Sequence, residues 1–181
     1  EKGTIRIHMN GLSQKDGMLW LLGDIYPDEK QAGQGGDCSM EIQALKQILQ
    51  ENGIVGAGGA GFPTYAKLDK RADIILMNCA ECEPLLKLHR QLLEQHCEEI
   101  LNIFDGIART VGAKEAVIGI KREYKAAVKA IDRYIDAYPN MRIQLLDSAY
   151  PMGDEVVLIY EATGRVIRPG GLPIEEGVAV F

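Results

Sequence analysis

The chain has 181 residues, 46% of them apolar and 25% charged, with a formal net charge of −6. That length suits one ordinary domain with a short appendage, and an acidic balance without a basic stripe excludes a nucleic-acid partner. No apolar run approaches the roughly 20 residues that span a bilayer, and the polar opening EKGTIRIHMN is no signal peptide, so direct membrane insertion is not expected.

Residues 4–9 (TIRIHM) alternate apolar and polar side chains, which predicts a half-buried strand. Residues 10–38 form a connector rich in Gly, Asp, Gln and Pro, with the break AGQGGD at 32–37. Ser39 is expected to cap a helix over 40–52, with Ile42, Leu45, Ile48 and Leu49 on one face and Gly53 ending it. After a glycine loop comes the apolar run DIILM (73–77), a candidate buried parallel strand. A helical stretch over 85–112, in two pieces, leads to a second buried strand, AVIGI (116–120). A helix over 124–137, a strand MRIQL (141–145), a helix over 153–163 and a strand at 178–181 complete the series.

Strands separated by helices imply right-handed parallel crossovers, hence an α/β fold: a three-layer, Rossmann-like parallel sheet. Residues 1–38 read as a remnant strand plus connector, and 39–181 as the α/β domain. An opening Glu1 and an ending inside GVAVF read as a piece of a longer protein. Four cysteines (Cys38, Cys79, Cys82, Cys97) without other marks of a secreted scaffold point to reduced thiols and a cytoplasmic setting.

Three motifs carry chemistry. In VGAGGAGFPTYAK (55–67), Gly56, Gly58, Gly59 and Gly61 precede Pro63, a helix-opening residue, and Lys67 follows one turn later. Main-chain amides of such a loop, aimed with a helix start, suit an anion, so the loop reads as a phosphate cradle; the alternative is a tight structural turn. Phe62 is either core or a surface on which a ring stacks, and Lys67 either a solvated charge or an anion ligand.

The second motif, NCAECEP (78–84), follows a strand. Asn78 and Glu81 offer partners to ligand hydroxyls. Cys79-x-x-Cys82 matches half of a metal or redox site, but no further ligands stand at zinc or iron–sulfur spacing, so no metal is assigned. His89 and His96 read as surface residues of a charged helix. The third motif, YPMGDE (150–155), opens a helix. There Gly153 permits close approach, while Asp154 and Glu155 are either ligand contacts or ordinary capping acids.

In this order the motifs resemble the FMN- and NADH-binding subunit of respiratory complex I, whose flavin loop reads GxGGAGFPTGxKW. NCAECEP is similar to the NGAECEP pattern of the RnfC branch, and residues 150–180 resemble the RnfC stretch YPxGxExxLIxxxTGRxVPxGGLPxxxGV. The segment NCAECEPLLKLHRQLLEQH is also similar to the RnfC-like electron-transfer proteins associated with proline reductase in amino-acid-fermenting anaerobes. The likeness covers about residues 40–181.

It implies an electron-transfer flavoprotein domain in which NADH delivers a hydride to FMN, which passes electrons to iron–sulfur or other acceptors. It implies that Gly56, Gly58, Gly59 and Gly61 line FMN and the dinucleotide, and that Phe62 stacks on the latter. Lys67 would meet the FMN phosphate or ribityl chain, Asn78 and Glu81 the ribityl and ring, and Gly153, Asp154 and Glu155 the flavin and the NADH ribose. It further implies partner subunits of an electron-transfer complex, membrane association only through them, and 4Fe-4S clusters held outside this chain by a C-terminal region. Residues 4–9 would be the last strand of an N-terminal barrel. Ala57, Ala80 and Tyr65 depart from the complex I pattern, which leaves a second expectation: a docking or scaffold domain that keeps the fold without the cofactor.

Overall fold

The computed structural model describes residues 41–56, 61–83 and 85–181. The chain divides into two units, 1–38 and 39–181, and the described residues lie in the second. The strand expected over 4–9, the connector, Ser39 as a cap, and Gly58 and Gly59 fall outside the described residues.

Helix α1 (Ile42–Glu51) buries Ile42, Leu45 and Leu49, the spacing of a single helical face. Its N-cap is Glu41, which makes no side-chain capping bond. The Gly53 amide donates to the Gln50 carbonyl at φ 63°, closing the helix as expected. The antiparallel bridge Val55–Pro63 then closes the glycine loop, and α2 (Thr64–Lys67) is one turn long.

Four strands follow: β1 (Ile74–Cys79), β2 (Glu115–Lys121), β3 (Met141–Leu146) and β4 (Val178–Val180). They form one parallel sheet in the order β3-β2-β1-β4. Residues buried on both sheet faces make these short runs almost wholly apolar, which is why they read as strands without alternation. Helix α3 (Leu88–Val111) bends at His96, whose φ of −131° and ψ of 30° lie outside the helical region, so the expected two pieces are a kinked single element. Gly112, in the left-handed conformation, ends it.

The helix expected over 124–137 is shorter. Helix α4 (Lys125–Asp132) stops where the Tyr134 amide turns to the Ile131 carbonyl, and a 3-10 helix at Ile135–Ala137 completes the span. Helix α5 (Glu155–Thr163) begins two residues later than expected, with Asp154 as its cap.

Right-handed crossovers put α3 and α4, which link β1 to β2 and β2 to β3, on one face. The return from β3 to β4 through α5 runs on the other. Leu158 and Ile159 of α5 pack with Leu76, Val117, Leu146 and Val178 of the strands in one buried cluster. Gly119 makes that approach possible, because a Cβ there would stand 2.6 Å from Leu158 Cδ1. The chain leaves β1 toward β2 on one side and reaches β4 on the other, so the crevice of this sheet opens at the carboxyl end of β1.

Candidate functional site

Two loops meet at that edge: residues 80–83 after β1, and the segment that leads from β3 into α5. Asn78, the fifth residue of β1, donates from Nδ2 to the Gly153 carbonyl at 2.9 Å and accepts from the Ala80 amide through Oδ1 at 3.1 Å. The Gly153 amide donates to Cys82 Sγ at 3.1 Å. The contact is so close that a Cβ on Gly153 would lie 1.9 Å from the Ala80 carbonyl oxygen. Glycine is thus required at 153, but the close approach is between two parts of this chain rather than to a ligand.

Around the second half of the site, α2 and the start of α5 converge. Lys67 is half-buried, its ammonium 5.8 Å from the centre of the Phe62 ring. Burial pushes its pKa down, and the neighbouring Glu155 carboxylate partly restores it. The Asp154 carboxylate accepts from the amides of Val156 at 3.0 Å and Val157 at 3.2 Å, so it performs the capping duty that is one of its two expected roles.

The glycine loop differs from expectation in one respect. The Gly56 amide donates to the Phe62 carbonyl at 3.0 Å, so that N–H is already committed within the loop. The helix that follows is a single turn, which gives the loop little of a macrodipole. Gly61 has φ 70° and open space on its α-carbon. Phe62 is 55% exposed, which removes the core reading and leaves its ring facing solvent.

Four residues that no motif marks belong to this neighbourhood. Lys121, buried at the end of β2, donates from Nζ to the Glu81 carbonyl at 2.6 Å. Arg90 stacks on the Tyr124 ring at 4.6 Å. His89, expected on the surface, is only partly exposed, and its Nδ1 lies 3.7 Å from Glu81 Oε2. Only the parallel register of β1 with β2 brings these residues together, and no spacing in the sequence announces it. Among the described residues no group of acids, histidines or cysteines is arranged to hold a metal ion, and no helix is long and apolar enough to cross a membrane.

Compared with known families, residues 49–181 match the model of the Nuo51 FMN-binding domain. The chain belongs to that family. This Nuo51-type domain is 38% identical over 140 residues to cobalamin reductase PduS of Citrobacter freundii, across 77% of this chain and 31% of that protein. It is 34% identical over 146 residues to an RnfC-type component of the Na(+)-translocating ferredoxin:NAD(+) oxidoreductase complex of Acetobacterium woodii, across 78% and 33% respectively. Among solved structures, the NAD+-reducing NiFe-hydrogenase in its H2-reduced state superposes with a TM-score of 0.64 at 28% identity, over 77% of this chain and 28% of that one. The family and the α/β fold are those the motifs implied. The Nuo51-type domain spans about a third of the length of these curated relatives.

Proposed function

We propose that the chain is the flavin-holding module of an electron-transfer oxidoreductase, with FMN seated at the carboxyl edge of β1 between the two loops and α2. The observation that supports it best is the convergence of Lys67, Glu155, Asn78 and Gly153 at the switch point of a sheet of the FMN-binding family. The residues present fit such a group. Half-buried Lys67 supplies a cation, Glu81 Oε2 is a buried acceptor without a partner, and the exposed Phe62 ring offers a stacking face.

Lys67 faces the Glu155 carboxylate, which opposes a phosphate and favours hydroxyls that donate to the acid and accept from the amine. The pair therefore suits the ribityl chain rather than the phosphate. Bound FMN would supply two-electron uptake from a reduced nicotinamide and one-electron release to an acceptor. The chain's own residues bind and orient it: Asn78 and Gly153 fix the distance between the loops, and Asp154 fixes the start of α5. The likeness to an RnfC-type protein and to a cobalamin reductase supports NADH as donor, partner subunits of a larger complex as acceptors, and membrane attachment through those subunits.

A titration of this chain with FMN, followed by flavin fluorescence, tests the reading. Quenching that saturates, and that weakens about tenfold in Lys67→Ala, agrees with a net hydrogen bond to a charged group of about 1.4 kcal/mol. Unquenched flavin at any protein concentration overturns it. The second reading, a scaffold domain without cofactor, draws on the Gly56 amide being spent on Phe62 and on the space beside Gly153 being filled by Ala80. It predicts the unquenched result.

A further inference from the structure

We propose that Glu81 and His89 hold one shared proton beside the β1 loop, which makes His89 the positioning residue that couples the loop's charge to the ligand bound there. The inference rests on the loop being the binding edge described above. Glu81 Oε2 and His89 Nδ1 are 3.7 Å apart, both shielded from solvent, and neither has a hydrogen-bond partner. The Glu81 side chain is only 8% exposed. Two unprotonated acceptors facing each other away from water are unfavourable, and a single proton satisfies both. Carried on Nδ1 it donates to the carboxylate; carried on the carboxyl it donates to the imidazole.

Every element packed against the pair contributes a charged or titratable group. Arg90 comes from α3, with its Nε also buried and unpartnered. Lys121 comes from the end of β2, and Tyr124, preceded by Glu123, from the start of α4. Cys79 and Cys82 come from the β1 loop itself, close enough to Glu81 and to Tyr124 respectively to influence their ionisation. Two fixed cations, Arg90 and Lys121, oppose a further positive charge while no ligand is bound. An anionic group arriving at the loop reverses that balance and draws a proton from solvent onto the pair. No electron moves in this step. By linkage, the ligand then binds more tightly as pH falls.

The sequence holds three histidines, so the His89 imidazole signal is assigned in NMR spectra of the chain by its loss in His89→Gln. In the ligand-free chain, Glu81→Gln is expected to move the His89 titration midpoint down by about one pH unit, as removal of a near carboxylate does. Glu123→Gln should leave it in place. Identical His89 titrations in the parent chain and Glu81→Gln overturn the proposal. Calorimetry of FMN binding in two buffers of different ionisation enthalpy should give proton uptake that disappears in His89→Gln, and equal uptake in both chains also overturns it. Absence of any FMN binding strikes the flavin reading alone, since the ligand-free titration decides the pair.

Discussion

Asn78 Nδ2 holds the Gly153 carbonyl at 2.9 Å, across a separation of 75 residues, and this bond joins the end of the central strand to the entrance of α5. The same side chain accepts the Ala80 amide, so one amide group fixes both loops of the site. Asn78→Asp keeps the acceptor for Ala80 and loses the donor for Gly153. It is expected to lower stability by about 1–2 kcal/mol, because a part-buried carbonyl is left facing a carboxylate. Urea unfolding monitored by circular dichroism measures it, and a midpoint equal to the parent chain's would show the bond to be idle.

Gly153→Ala tests the same junction by steric means. Its added methyl would stand 1.9 Å from a backbone oxygen, which no rotamer can relieve, so the loops must separate. The expected loss is about 3 kcal/mol, at the upper end for overpacking. Gly119→Ala is the milder comparison, since it meets the mobile end of Leu158 rather than backbone. Equal destabilisation of the two variants would contradict this account.

The far end of the sheet carries a pH-dependent contact. Arg165 Nη1 donates to Asp73 Oδ1 at 2.6 Å and Nη2 to Oδ2 at 3.0 Å, joining the start of β1 to the segment after α5. The hydrogen bond from Arg165 holds the Asp73 carboxyl below its ordinary range. A carboxyl depressed in the folded state contributes stability at pH values above the unfolded pKa of about 3.9 and loses it as pH falls through the folded value. Arg165→Gln should therefore lower stability by about 1 kcal/mol at neutral pH, a partly exposed pair being screened by solvent. The difference from the parent chain should vanish in acid. A difference that stays constant from pH 7 to pH 2 would place the effect elsewhere.

The cysteines should separate by reactivity. Burial pushes the Cys79 thiol up to about 12, with Cys97 adding to the effect, and the Cys97 thiol itself up to about 11. Both side chains are about 4% exposed. The thiolate is the reactive form, so neither should react with a thiol reagent at neutral pH until the chain unfolds. In a Cys38→Ser chain, the fast phase should therefore belong to Cys82 alone, which is partly exposed. Modification there removes the acceptor of the Gly153 amide, and FMN affinity should fall with it.

The order of strands and helices was legible because each buried strand is a short apolar run and each helix carries its own face or terminal glycine, as Gly53, Gly112 and Gly164 do. Asp154 was legible as a cap for the same local reason. The Lys121–Glu81 and Arg90–Tyr124 contacts were not, since they arise only when β1 and β2 pair in register. The commitment of the Gly56 amide to Phe62 was equally hidden: glycine count shows where a loop turns, not which of its amides stay open.

The placement of β4 has a consequence for synthesis. The central strand β1 is paired with β2 on one side, but its other edge waits for Val178–Val180, made last among the described elements. Until then Ile74, Ile75 and Leu76 present open backbone groups and apolar side chains, a template for wrong partners. A nascent chain stalled before residue 178 should for that reason aggregate more readily than one that has reached it, even with every helix already present.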